Sequence, residues 1–75
     1  MIKVLVGSST ERKSVVIPPT QTLKQTLDQS GVDYSTSQVY LDGATLGPGE
    51  LDKTFNDFNI KEKCMLVAVV KLSNA

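Results

Sequence analysis

The run Cys64-Met65-Leu66-Val67-Ala68-Val69-Val70-Lys71-Leu72 constrains the fold more than any other stretch of this chain. A strand whose sheet has one wet face alternates apolar and polar residues with a period of two. Here one parity carries Cys64, Leu66, Ala68, Val70 and Leu72, and the other carries Met65, Val67, Val69 and Lys71. Both parities are mostly apolar, so the segment belongs in the middle of a sheet. The same pattern poses a question. Either another part of the chain covers the second face, or that face is built to meet a partner.

The chain is short enough to limit the answers. Seventy-five residues make one domain, 1–75, near the lower limit for a core that holds without staples. A single cysteine allows no internal disulfide, and a thiol in an apolar strand suits a reducing compartment. Histidine is absent, which removes a Cys–His zinc site. Eight basic and eight acidic residues cancel, whereas capture of nucleic acid needs a concentrated basic face. The start, MIKVLVGSS, lacks the apolar core of a signal peptide, and no run approaches membrane-spanning length. The expectation is a cytoplasmic domain with neither a nucleic-acid nor a membrane partner.

Local patterns supply the elements. Ile2, Val4 and Val6 alternate with Lys3 and Leu5, a strand pointing its β-branched residues inward. The polar stretch GSSTERK turns the chain, and SVVI returns as the second arm of an antiparallel hairpin. Two prolines, Pro18 and Pro19, end that arm. Thr22 and Gln25 have the spacing of a capping box, Leu23 and Leu27 share one helical face, and Gly31 is placed to stop the helix. Thr20 is a rival N-cap. Asp42-Gly43 between alternating segments is the signature of a type I′ hairpin. GPGELDK reads as a loop, and TFNDFNI as one helical turn anchored by Phe55, Phe58 and Ile60. The order is ββαββ, a short helical turn, then β: an α+β fold with one helix packed on one face of a mixed sheet. The last strand is expected centrally, parallel to the first.

That order and these residues resemble the β-grasp of ubiquitin-like domains. YLDGATL is similar to their central strand–turn–strand. Their late signature is matched by Thr54, Phe55, Asp57, Phe58, Asn59, Ile60, Leu66, Val69 and Leu72. The likeness spans nearly the whole chain, with MIKVLV and IPPTQTLKQTL in register. Three departures stand out. The loop GATLGPGELDK is a few residues longer than usual, and Phe58 replaces a tyrosine whose hydroxyl ties that loop down in the family. Conjugated modifiers and sulfur carriers end in Gly-Gly, which this chain, ending KLSNA, does not carry. Activation of its C-terminus is therefore not expected.

In the family the recognition surface is the open sheet face, an apolar centre ringed by basic residues. The resemblance puts that centre on Tyr40 and Val69 with Val67 beside them, and leaves Ser8 near the place of a hairpin-loop leucine. Strand parity leads to the same face on its own terms. With Ile2, Val4, Val6, Leu66 and Ala68 inward, Lys3, Leu5, Met65, Val67, Val69 and Lys71 turn outward, and Tyr40 joins them. The candidate protein-binding set is Lys3, Leu5, Tyr40, Val67, Val69 and Lys71, with Val67 and Val69 at its centre and all of 65, 67 and 69 meeting water. Against it stands the plain fact that surfaces are more than half apolar and β-branched residues favour strands wherever they point.

Nothing in the chain resembles a catalytic set. Cys64 lies on the inward parity without a histidine to activate it, so it reads as a small buried hydrophobe. Asp52, Asp57 and Glu62 sit among lysines in a polar region, the usual form of a solvated surface. GPGE is followed by no Gly-Lys-Ser/Thr, so it cradles no phosphate, and one cysteine cannot hold an iron–sulfur cluster. No cofactor is expected. The expected function is non-enzymatic binding of another protein, with weak self-association as a further use of the same face. An accessory subunit of a larger machine is the alternative, since the small ubiquitin-like accessory proteins of bacterial type VII secretion resemble the chain in size and in lacking the diglycine.

Overall fold

The computed structural model describes residues 1–8 and 10–70. Strands β1 (Ile2–Ser8) and β2 (Arg12–Ile17) form the first hairpin, followed by helix α1 (Leu23–Gln29). Strands β3 (Ser37–Leu41) and β4 (Ala44–Thr45) form the second hairpin, and β5 (Lys63–Val70) closes the chain. The sheet order is β2-β1-β5-β3-β4. The most apolar segment is thus the central strand, parallel to β1 and antiparallel to β3.

The seven-residue helix is too short to persist alone. Its ends are closed by local chemistry. The Thr22 hydroxyl accepts the Gln25 N–H, and the Gln25 side-chain carbonyl accepts the Thr22 N–H, both at 3.1 Å. At the other end Gly31 turns left-handed at φ 71°, and Val32 N–H reaches the Leu27 carbonyl at 3.0 Å while Gly31 N–H reaches Asp28 at 3.2 Å. Those two bonds are a Schellman stop. Leu23, Thr26 and Leu27 then bury the helix against the sheet.

The second hairpin turns through Asp42 (φ 52°) and Gly43 (φ 87°), both positive as a type I′ turn requires. GPGELDK departs from expectation. It is not an open loop, because Pro48–Asp52 form a 3₁₀-helix. A proline pre-sets the first φ, and the Glu50 carboxylate accepts the Gly47 N–H at 2.9 Å to close the turn. A second 3₁₀ turn, Asn56–Phe58, is braced by Thr54 and Asp57, whose side chains each accept the other's backbone N–H. It ends at Asn59, which is left-handed at φ 59°.

The long connection is held without a tyrosine hydroxyl. Asn56 N–H reaches the Pro19 carbonyl at 2.9 Å, Leu23 N–H reaches the Lys53 carbonyl at 3.0 Å, and Thr22 bridges Thr54. The Lys53 ammonium lies 5.9 Å from the centre of the Phe58 ring, a cation–π distance. Fully buried Phe55 anchors the segment among Ile2, Val4, Leu23, Leu27 and Leu66. The helix and both 3₁₀ turns deliver their apolar side chains, Leu23, Leu27, Leu51 and Phe58, to this one side of the sheet. The other side is left to the strands themselves.

Candidate protein-binding face

Register places the outward side chains in rows across the strands. Lys3 of β1 pairs with Val16 of β2 and Lys63 of β5. The next row holds Ser14, Leu5 and Met65, and the one after it holds Arg12, Gly7, Val67, Tyr40 and Thr45. Val69 and Gln38 follow. Lys3 is exposed, Leu5 is 36% exposed, and Tyr40 and Val69 are half-buried. Lys71 lies outside the described residues.

Val67 corrects the expectation. It is on the outward parity and takes no part in the inner core cluster, yet only 7% of it is exposed. It does not meet water as the centre of a patch. The cause is its two neighbours. On one side stands Tyr40, on the other Gly7. Gly7 has no side chain, and the β1–β2 turn folds into the space a side chain would take. A Cβ built there would lie 2.0 Å from the Glu11 carbonyl oxygen and 2.6 Å from the Arg12 Cα. The hairpin backbone therefore packs directly against Gly7, the register partner of Val67, with Ser8 N–H bonded to the Glu11 carbonyl at 2.7 Å to fix the turn.

Open apolar surface lies instead one row away. Leu5 and Met65 are register partners, 36% and 37% exposed, and Val16 is 62% exposed on the neighbouring row. Leu5 and Met65, with Lys3, Lys63, Ser14, Asp42 and Cys64, line an open concavity of about 480 Å³. Met65 and Val16 were absent from the candidate set. Parity alone identifies both as outward, and Lys63 with them. The family-like positions drew attention to the Tyr40 row instead.

Asp42 sets the edge of this concavity. Its carboxylate accepts the Met65 N–H at 2.9 Å, and its own N–H donates to the Met65 carbonyl at 2.8 Å. One left-handed residue thus grips both backbone groups of Met65 and fixes where that side chain starts. Next to it, Cys64 turns inward and is buried, 7% exposed. Burial, reinforced by the Asp42 charge, pushes its thiol up to about 11. A thiol so held is a poor nucleophile. Asp52, Asp57 and Glu62 are all exposed. Among the described residues no three His, Cys, Asp or Glu side chains gather in a way that would hold a metal ion. No helix among them is long and apolar enough to cross a membrane.

No protein-family model matches the chain, and no curated protein matches it by sequence. Solved structures do match it. The solution structure of the ubiquitin-like domain of an Arabidopsis thaliana protein superposes with a TM-score of 0.72 at 22% identity, covering 99% of this chain and 81% of that one. A second determination of the same plant protein gives 0.70 at 22% identity, with 97% and 89% covered. A chain in the crystal structure of phenol hydroxylase from Pseudomonas sp. OX1 gives 0.69 at 15% identity, with 93% and 73% covered. At a TM-score of 0.72 the likeness to the plant domain is one of architecture: the fold is the ubiquitin-like β-grasp, of the α+β class.

Proposed function

We propose that the chain is a non-enzymatic protein-interaction module that binds its partner through the outer face of the sheet. One observation carries the reading. Leu5 and Met65 stay more than a third exposed on the central strand β5 and its inner neighbour β1, while every helical element among the described residues packs on the other side. Burying such side chains stabilises a complex by ~1.5–3 kcal/mol each when burial is complete. Leu5 and Met65 form the open apolar centre, flanked by the half-buried Tyr40 and Val69, while Val67 lies buried between the rows. Lys3, joined by its register partner Lys63, forms the charged rim.

Affinity capture tests it, with Val69→Asp as the probe variant and Lys24→Asp, on the exposed side of the helix, as the control. A captured protein is purified and titrated into isotope-labelled chain. Loss of capture by Val69→Asp alone, with amide shifts on β1, β3 and β5, is expected. Unchanged capture, or shifts confined to the helix side, would refute the reading.

A second reading, resting on the chain's small size and its family resemblance, is an accessory subunit of a larger assembly. The same face would then serve a permanent contact. Sedimentation at several concentrations separates self-association from a monomer awaiting its partner.

A further inference from the structure

The outer face has two tiers of unlike chemistry. Around Val67, between its register partners Tyr40 and Gly7, it is closed, and around Leu5 and Met65 it is open. We infer that the open tier is a subsite for an acidic peptide segment: an aliphatic or aromatic side chain of the partner seats on Leu5 and Met65 while a neighbouring carboxylate lies between Lys3 and Lys63. The inference rests on the outer-face reading above and specifies its location and its ligand.

Three observations converge. Lys3 and Lys63 are register partners on adjacent parallel strands, so two ammonium groups spring from backbone positions about 5 Å apart. Like charges side by side on a sheet are unfavourable. An incoming carboxylate relieves that repulsion and gains charge-assisted hydrogen bonds. Second, the lysine pair sits one row from the Leu5–Met65 pair, so apolar and anionic groups of a ligand must be neighbours too. Third, the concavity of about 480 Å³ opens to solvent and is large enough to take side chains of a peptide segment.

Its lining contains one carboxylate, Asp42, against two ammoniums. Asp42 stands on the β3 side, and one of its oxygens is already taken by the Met65 N–H. Ser14, the β2 partner of Leu5, supplies a hydroxyl at the opposite wall. The whole chain carries no net charge, so the preference for an anion is local to this tier.

The test uses isotope-labelled full chain and three blocked peptides, Ac-DELFDE-NH₂, Ac-QQLFQQ-NH₂ and Ac-KKLFKK-NH₂, each up to about 2 mM, where a single weak subsite shows saturation. The acidic peptide is expected to shift the amides of Lys3, Leu5, Lys63 and Met65, and to bind at least about fivefold more tightly than the neutral one. The lysine peptide should not saturate. Lys3→Gln with Lys63→Gln should erase the acidic preference while leaving the spectrum dispersed, and Lys3→Glu with Lys63→Glu should transfer it to the lysine peptide. Equal binding of the three peptides overturns the proposal, as does an absence of shifts. Shifts centred on Tyr40 and Val69 also overturn it. That last result would keep the outer-face reading and move the site, whereas failure of the Val69→Asp capture experiment would remove the reading itself.

Discussion

Gly7→Ala is the sharpest probe of how the outer face is built. The methyl group would sit 2.0 Å from the Glu11 carbonyl oxygen and 2.6 Å from the Arg12 Cα, both backbone atoms that no rotamer change can move. Ordinary contact begins near 3.4 Å, so the turn must retreat by about 3.4 − 2.0 = 1.4 Å. That retreat pulls on the 2.7 Å bond from Ser8 N–H to the Glu11 carbonyl. Overpacking of this kind costs ~1–3 kcal/mol, and the strained hydrogen bond adds ~1 kcal/mol. The stiffer unfolded chain returns ~0.4–1 kcal/mol. The net loss is ~1–3 kcal/mol, against a total of about 4–11 kcal/mol for 75 residues. At about 4–8 °C per kcal/mol for a domain this small, Tm should fall by roughly 5–20 °C. Thermal and urea unfolding followed by far-ultraviolet circular dichroism would read it, with the midpoint lowered and the m-value unchanged. A Tm equal to or above that of the parent would show that the turn does not press on the Gly7 position, and the account of Val67's burial would go with it.

Two further outcomes follow from the titrating groups. Cys64, with its thiol near 11 against an ordinary 9.0, should be alkylated by iodoacetamide at pH 7.5 at least about 100-fold more slowly in the folded chain than in urea, since two pH units separate the thiolate fractions. Because the folded value is the higher one, this group also costs stability as pH rises above 9.0, and equal alkylation rates in the two states would contradict its burial. Asp57 titrates below the ordinary 3.8, held down first by the Thr54 backbone N–H, then by the Thr54 side chain and Lys53. A folded value below the unfolded one gives stability that is present above pH 3.8 and is lost as pH falls below it. Asp57→Asn should therefore flatten the fall in urea midpoint between pH 4 and pH 2, and an unchanged slope would show that the Thr54–Asp57 brace carries none of the acid sensitivity.

Elements whose signals are local were legible before any coordinates. Thr22 and Gln25 cap the helix from three residues apart, Asp42-Gly43 set their own turn, and the composition of Lys63–Val70 puts that strand at the centre of the sheet. The 3₁₀-helix at Pro48–Asp52 was not legible, because it depends on the Glu50 carboxylate folding back onto the Gly47 N–H rather than on any periodicity. Val67 failed for a deeper reason. Parity gives the side of the sheet a residue occupies and says nothing of what its neighbours across the strands do there. Its burial is decided by Tyr40 and by a glycine sixty residues earlier that lets a turn lean in.

That distinction between side and depth also reassigns the energetics of the face. Hydrophobic gain on association scales with apolar area removed from water. Val67, already 7% exposed, has almost none left to lose, however central its position. A truncation there removes packing between Tyr40 and the hairpin, so it acts on folding stability. Leu5 and Met65 still hold more than a third of their surface in water and are the residues from which a partner can draw free energy. The open tier beside the closed one presents two aliphatic side chains and two lysines from backbone positions set by the β1–β5 register. Binding there must still order the two exposed lysines, so the apolar gain at Leu5 and Met65 is offset by that side-chain entropy.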